Sequence, residues 1–78
     1  MSNREPIHIG TVLEKLRRMK QLSQEELAQR TSLSLSYISL LERNHHEPGL
    51  GSLYDLATAL EMDFLDFMKE IDDHYKNG

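Results

Sequence analysis

Hydroxyl groups crowd one short stretch of this chain, at Ser32, Ser34, Ser36 and Ser39, with Tyr37, Arg43 and Asn44 among or just after them. Such groups act either as nucleophiles or as hydrogen-bonding groups spread over a surface. Nucleophilic catalysis needs a base and a turn that presents the hydroxyl, and phosphate chemistry needs a glycine-rich cradle; the sequence has neither. Metal chemistry fares no better. His45 and His46 are adjacent and so diverge on most backbones, and no cysteine or further histidine stands at ligand spacing. Neither an enzymatic activity nor a metal or cofactor is expected, which leaves surface recognition.

The elements around these residues say what that surface meets. Ser23 is placed to cap a helix beginning at Gln24, and Glu26 three residues on completes a capping box that satisfies two otherwise unpaired backbone donors. Leu27 and Ala28 supply that helix's inward face, and the small side chain of Ala28 lets a second helix cross close by. Residues 31–34 then break the helix, with Leu33 pinning the turn inward and Ser34 serving as the next N-cap. Beyond it Ile38 and Leu41 recur as a buried stripe, which turns Leu35, Ser36, Ser39, Leu40 and Arg43 outward and leaves Tyr37 at the boundary. A capped helix, a tight break and a second helix with small polar groups outside form the minimal device for laying a helix in the major groove. The residues thus point to double-stranded DNA.

From about residue 9 to 68 the chain resembles the Cro-like (XRE) helix-turn-helix family of phage repressors and small bacterial regulators. The likeness is carried by Ile9-Gly10, Leu13, Leu16-Arg17, LSQEELA at 22–28, YIS at 37–39, Glu42-Arg43, Pro48 and LYDLATAL at 53–60. It implies an all-α fold, a compact five-helix lambda-repressor-like domain that binds DNA as a homodimer. It also implies that Gln24 clamps a phosphate, that residues 34–40 read bases, and that Arg17 pairs with Glu42. The residues support the pair independently: each continues the apolar stripe of its own helix, and an ionisable group at a core's edge needs a partner. Gln21, Ser32 and Asn44 stand where this family usually has glycine, often in left-handed backbone. Asn44 suits that conformation, whereas Gln21 and Ser32 would each carry roughly 1 kcal/mol of strain. Leu35 and Leu40 occupy outward positions where Arg, Gln or Asn would make bidentate base contacts, so specificity is expected to lean on thymine methyls, DNA shape or the following loop.

Helices are expected over about 7–21, 24–30, 34–43, 50–60 and 64–75. The first turns Ile9, Leu13 and Leu16 inward, flanked by Val12 and Met19, and displays Lys15, Arg18 and Lys20, for which phosphate contact and a plain solvated face both fit. In the loop after Arg43, solvent exposure suits the histidines, while His46 and Asn44 are also placed for phosphate or base-edge contact. Gly49 and Gly51 flank Leu50, so the amides opening the fourth helix are accessible to a phosphate, to which Ser52 would add a hydroxyl. Leu53, Leu56, Ala57 and Leu60 form its buried stripe. Asp63 caps the last helix, which sets Phe64, Phe67, Met68, Ile71 and Tyr75 against Asp66, Lys69, Glu70, Asp72 and Asp73. That apolar stripe either closes the monomer core or meets a second copy. Phe67 suits the core, and Phe64, Met68, Ile71 and Tyr75 suit an interface that would hold two recognition helices roughly 34 Å apart.

Length bounds the rest: 78 residues make one domain, 1–78, with its core over about 7–75 and loose tails of some six residues before it and three after. The net charge of −4 opposes DNA binding until it is resolved by position. Residues 1–43 carry seven Lys and Arg against five Asp and Glu, and residues 44–78 carry two against eight, so the acidity lies in the second half. With no cysteine, signal peptide or long apolar run, a cytoplasmic protein without membrane contact is expected. The functional expectation is a homodimeric, sequence-specific transcriptional regulator on a short inverted repeat, autoregulatory in the manner of restriction-modification controllers or phage-type repressors. The alternative is an antitoxin-like or adaptor module whose acidic C-terminal helix engages a protein partner.

Overall fold

A computed structural model describes residues 4–77, which form five helices and, among those residues, no strand. The helices are α1 (Gly10–Met19), α2 (Gln24–Gln29), α3 (Leu35–Glu42), α4 (Leu50–Ala59) and α5 (Phe64–Asn77). Their starts follow from local chemistry. Ser23 Oγ accepts the Glu26 N–H at 3.0 Å while the Glu26 carboxylate accepts the Ser23 N–H at 2.8 Å, which completes the capping box of α2. Ser34 Oγ accepts the Tyr37 N–H at 3.1 Å to open α3, and Asp63 Oδ1 accepts the Leu65 N–H at 2.8 Å to open α5.

Three helices stop by one device. Leu22 N–H donates to the Arg17 carbonyl and Gln21 N–H to that of Arg18, and the same pair of bonds recurs at His45 with Asn44 and at Met62 with Glu61. This is the Schellman motif, and it holds Gln21, Asn44 and Glu61 at φ of 59°, 60° and 58°. Gln21 and Asn44 therefore adopt the backbone expected of them. Ser32 does not: its N–H and hydroxyl both donate to Asp55 Oδ2, at 2.9 and 2.5 Å, which ties the turn after α2 to α4. Glu61 is a third left-handed site, one not anticipated from the sequence.

The core gathers a few residues from every helix. Leu13, Leu27, Ile38, Leu41, Leu56, Leu60 and Phe67 have essentially no exposure, and each large apolar side chain buried this way stabilises the fold by about 1.5–3 kcal/mol. Ala28, Leu33, Leu53 and Tyr37 pack against that cluster from its edge, as their positions predict. α1 packs on α3 and α5, α2 on α3, and α4 on α5. This arrangement makes α3 lean on both α1 and α2 while one side stays open.

The expected boundaries need three corrections. α1 begins at Gly10 rather than near residue 7, because the Gly10 N–H is capped by Asn44 Oδ1 at 2.8 Å and residues 4–9 before it form a strap without regular secondary structure. Gly10 is required there, since a Cβ would overlap the Glu42 carbonyl oxygen and the Asn44 side chain. α5 runs on to Asn77 rather than ending near 75, with its last turns laced by Lys76 to Asp72 and Lys69 to Asp73. The strap is not loose either, for Arg4 and Ile7 are bonded to Glu47; of the expected tails, residues 1–3 and 78 lie outside the described residues. Met19, expected to flank the buried stripe, is 70% exposed at the last turn of α1.

Candidate nucleic-acid interface

The open side of α3 is a concavity shared with the start of α2. Gln24, Leu35, Ser36, Ser39, Leu40 and Arg43 line it, so six residues singled out from the sequence come together on one surface. Ser34 sits at its edge as the N-cap of α3. Leu35 is 43% exposed and Ser36 and Arg43 are open to solvent, whereas Ser39 and Leu40 are half-buried. Two apolar tips, two hydroxyls and one guanidinium therefore face outward. Ser23 and Glu25 share the same wall; Ser23, already marked as a cap beside Gln24, carried the signal that could have placed it there.

Behind this surface lies the buried ion pair. Arg17 Nε and Nη2 donate to Glu42 Oε2 and Oε1 at 2.6 and 2.9 Å, and Arg17 Nη1 donates to the Leu22 carbonyl at 2.8 Å. The Glu42 bonds, more than the burial that opposes them, hold the Arg17 pKa above its ordinary value. Gln24 joins the network, its Nε2 donating to Glu42 Oε1 at 3.0 Å. One carboxylate thus neutralises a core cation and aims a groove-side amide. Among the described residues no buried side-chain polar atom lacks a partner.

A second group forms around Tyr37 of α3. The Tyr37 and His46 rings meet edge to face with centroids 5.3 Å apart, and the Ser52 hydroxyl lies 3.4 Å from that of Tyr37. Three residues from α3, the following loop and α4 are thereby brought together. At the start of α4, Gly49 is the N-cap and no side chain bonds the first-turn amides, while Leu50 and Gly51 are exposed. Such a terminus suits a phosphate oxygen. Asn44 stands apart from both groups, because its side-chain oxygen is committed to Gly10.

The residues expected at an interface divide. Ile71 is only 8% exposed and belongs to the core beside Phe67, while Phe64 and Met68 are partly covered by that core. The Tyr75 hydroxyl accepts the His8 N–H at 2.5 Å, so this side chain serves the strap. Among the apolar side chains left open are Tyr54, stacked on Phe64 with centroids 3.8 Å apart and planes 9° apart, and the neighbouring Leu65, with Met19 and Leu50 exposed elsewhere. Sequence reasoning missed Tyr54 and Leu65 because both lie off the buried stripes of their helices.

With this geometry, comparison with known proteins is decisive. A helix-turn-helix family model (HTH_3) matches residues 13–67, a span that includes α2, the turn, α3 and α4. The chain belongs to the XRE-type helix-turn-helix family of transcriptional regulators. Within that family it is 45% identical over 58 residues to the uncharacterized HTH-type transcriptional regulator y4dL of Sinorhizobium fredii, matching 74% of this chain and 30% of y4dL. It is 37% identical over 65 residues to y4dJ of the same organism, described likewise, matching 83% of this chain and 84% of y4dJ. Among solved structures, the wild-type restriction-modification controller protein C.Esp1396I superposes with a TM-score of 0.81 at 28% identity, covering 90% of this chain and 91% of that one. Family and fold are those of DNA-binding regulators, not of enzymes. Among the described residues no helix is long and apolar enough to cross a membrane.

Proposed function

We propose that this protein is a homodimeric, sequence-specific regulator that binds a short inverted repeat and acts at its own promoter, in the manner of a controller protein or a compact repressor. The observation that carries the reading is the concavity over α3: its outward side chains are free while Glu42 fixes Gln24 beside them. In this reading Gln24, the α4 N-terminus and Ser52 hold phosphates, and Ser34, Ser36, Ser39, Leu35 and Leu40 meet the groove, with Tyr37, Arg43 and His46 at its margins. Base contacts from Leu35 and Leu40 favour thymine methyls. Asn44 acts through the loop that it shapes rather than through its own amide oxygen.

Tyr54, Phe64 and Leu65 supply the face for a second copy, close to where Asp55 of α4 grips the turn through Ser32. The acidic second half of the chain lowers affinity for a lone subunit, so occupancy depends on pairing. The test is to incubate purified protein with a randomised duplex pool at two salt concentrations and sequence what is retained. Enrichment of a palindrome with a steep salt slope supports the regulator. A retained pool without any motif defeats it, and directs attention to the acidic α5 as a protein-binding surface.

A further inference from the structure

The strap of residues 4–9 runs from the loop before α4 to the C-terminal end of α5, and its hold is polar. Arg4 Nη1 and Nη2 donate to Glu47 Oε2 and Oε1 at 2.6 and 3.0 Å, and the Ile7 N–H donates to Glu47 Oε2 at 2.7 Å. At its other end the Tyr75 hydroxyl accepts the His8 N–H and donates to the Pro6 carbonyl at 3.4 Å. Apolar seating is incomplete. Ile7 remains 42% exposed, and a cavity of 390 Å³ lined by Ile7, Ile9, Pro48, Leu53, Met68 and Ile71 lies between the strap and helices α4 and α5. At its Arg4 end the strap is held by Glu47, while Tyr75 and the buried Ile9 hold the other. Glu47 follows His46 directly, and Pro48 after it restricts its backbone to extended conformations, so the aim of its side chain and the path of the loop are linked.

We propose that Glu47 is a positioning residue for DNA binding: by clasping Arg4 and the Ile7 amide it fixes the loop that sets His46 and the start of α4 against the duplex. The inference rests on the DNA-binding reading above. Arg4 first, and then the Ile7 N–H, hold the Glu47 carboxyl at about 2, so the clasp is ionised throughout the neutral range. Charge alone predicts the opposite outcome, because neutralising an anion beside the phosphates should strengthen binding. The sign of the effect separates the two accounts.

The experiment compares full-length wild type with Glu47→Gln, Arg4→Ala, the double variant and the conservative Arg4→Lys. Each is titrated against the selected duplex at two salt concentrations, with amide hydrogen exchange followed over residues 44–52 in the free protein. Glu47→Gln and Arg4→Ala should each weaken binding by about three- to tenfold, the double variant no further, and Arg4→Lys by less than about twofold. Salt slopes should stay constant, while exchange over 44–52 accelerates by about tenfold in Glu47→Gln. Unchanged or tighter binding by Glu47→Gln overturns the proposal. So does a salt slope reduced by about one in Arg4→Ala, which would make Arg4 a phosphate ligand. Should wild type retain no duplex, the DNA-binding reading fails and exchange alone decides: acceleration supports the clasp, and unchanged rates overturn it.

Discussion

At the scale of single residues, position 42 carries the greatest demand. The Arg17 and Glu42 side chains are almost wholly buried, at 9% and 4% exposure, and removing one partner leaves the other charge without compensation. Glu42→Ala should therefore destabilise the fold by about 3–5 kcal/mol, read as a lower urea midpoint with an unchanged slope. The left-handed positions act in the opposite direction. Glu61→Gly should stabilise by up to about 1 kcal/mol, an increase in Tm of about 4–8 °C by calorimetry, because it relieves the clash between Cβ and the following carbonyl oxygen. The ion pair was legible in the sequence, since each partner stood at the end of an apolar stripe. Glu61 was not, because a Schellman motif is specified by backbone bonds that close around any side chain, and glycine is only its commonest occupant.

Among the elements, α3 is the one whose surface and stability separate. Ser36 is exposed and faces the concavity, so Ser36→Ala should weaken binding to the selected site by about three- to tenfold while leaving the Tm nearly unchanged. Equal losses in both would show that this hydroxyl supports the fold instead. Caps govern α2 and the strap, and both depend on ionised carboxylates. The Glu47 carboxyl sits at about 2, and the Glu26 carboxyl is lowered first by the Ser23 N–H and then by the Ser23 hydroxyl. Folded values below the unfolded one mean that this stabilisation is complete above about pH 4.5 and is lost as pH falls towards about 2. Urea midpoints measured across that window should fall, and by less in Glu47→Gln. Helix order, caps and core stripes were readable because period and capping chemistry are local. The start of α1 was not, for its cap comes from Asn44, 34 residues away.

At the scale of the whole molecule, the homodimer proposed above needs a contact face. Leu65 is 74% exposed beside the Tyr54 and Phe64 stack, so Leu65→Asp should lower the dimer fraction in sedimentation equilibrium without lowering the Tm of the monomer. An unaltered profile would place the contact elsewhere. The outward residues of α3 were legible because helix-turn-helix spacing fixes which of its sides looks away from the core. Which apolar residues of α5 stay open was not, because an amphipathic stripe does not record how much of itself the same chain will cover, and α5 spends Ile71 on its own core. The shared oxygen of Glu42, which accepts from Arg17 and from Gln24 alike, reaches further still. A substitution at this position would therefore strip the core cation of its counter-charge and release the Gln24 amide in a single step, coupling the stability of the fold to the shape of the concavity.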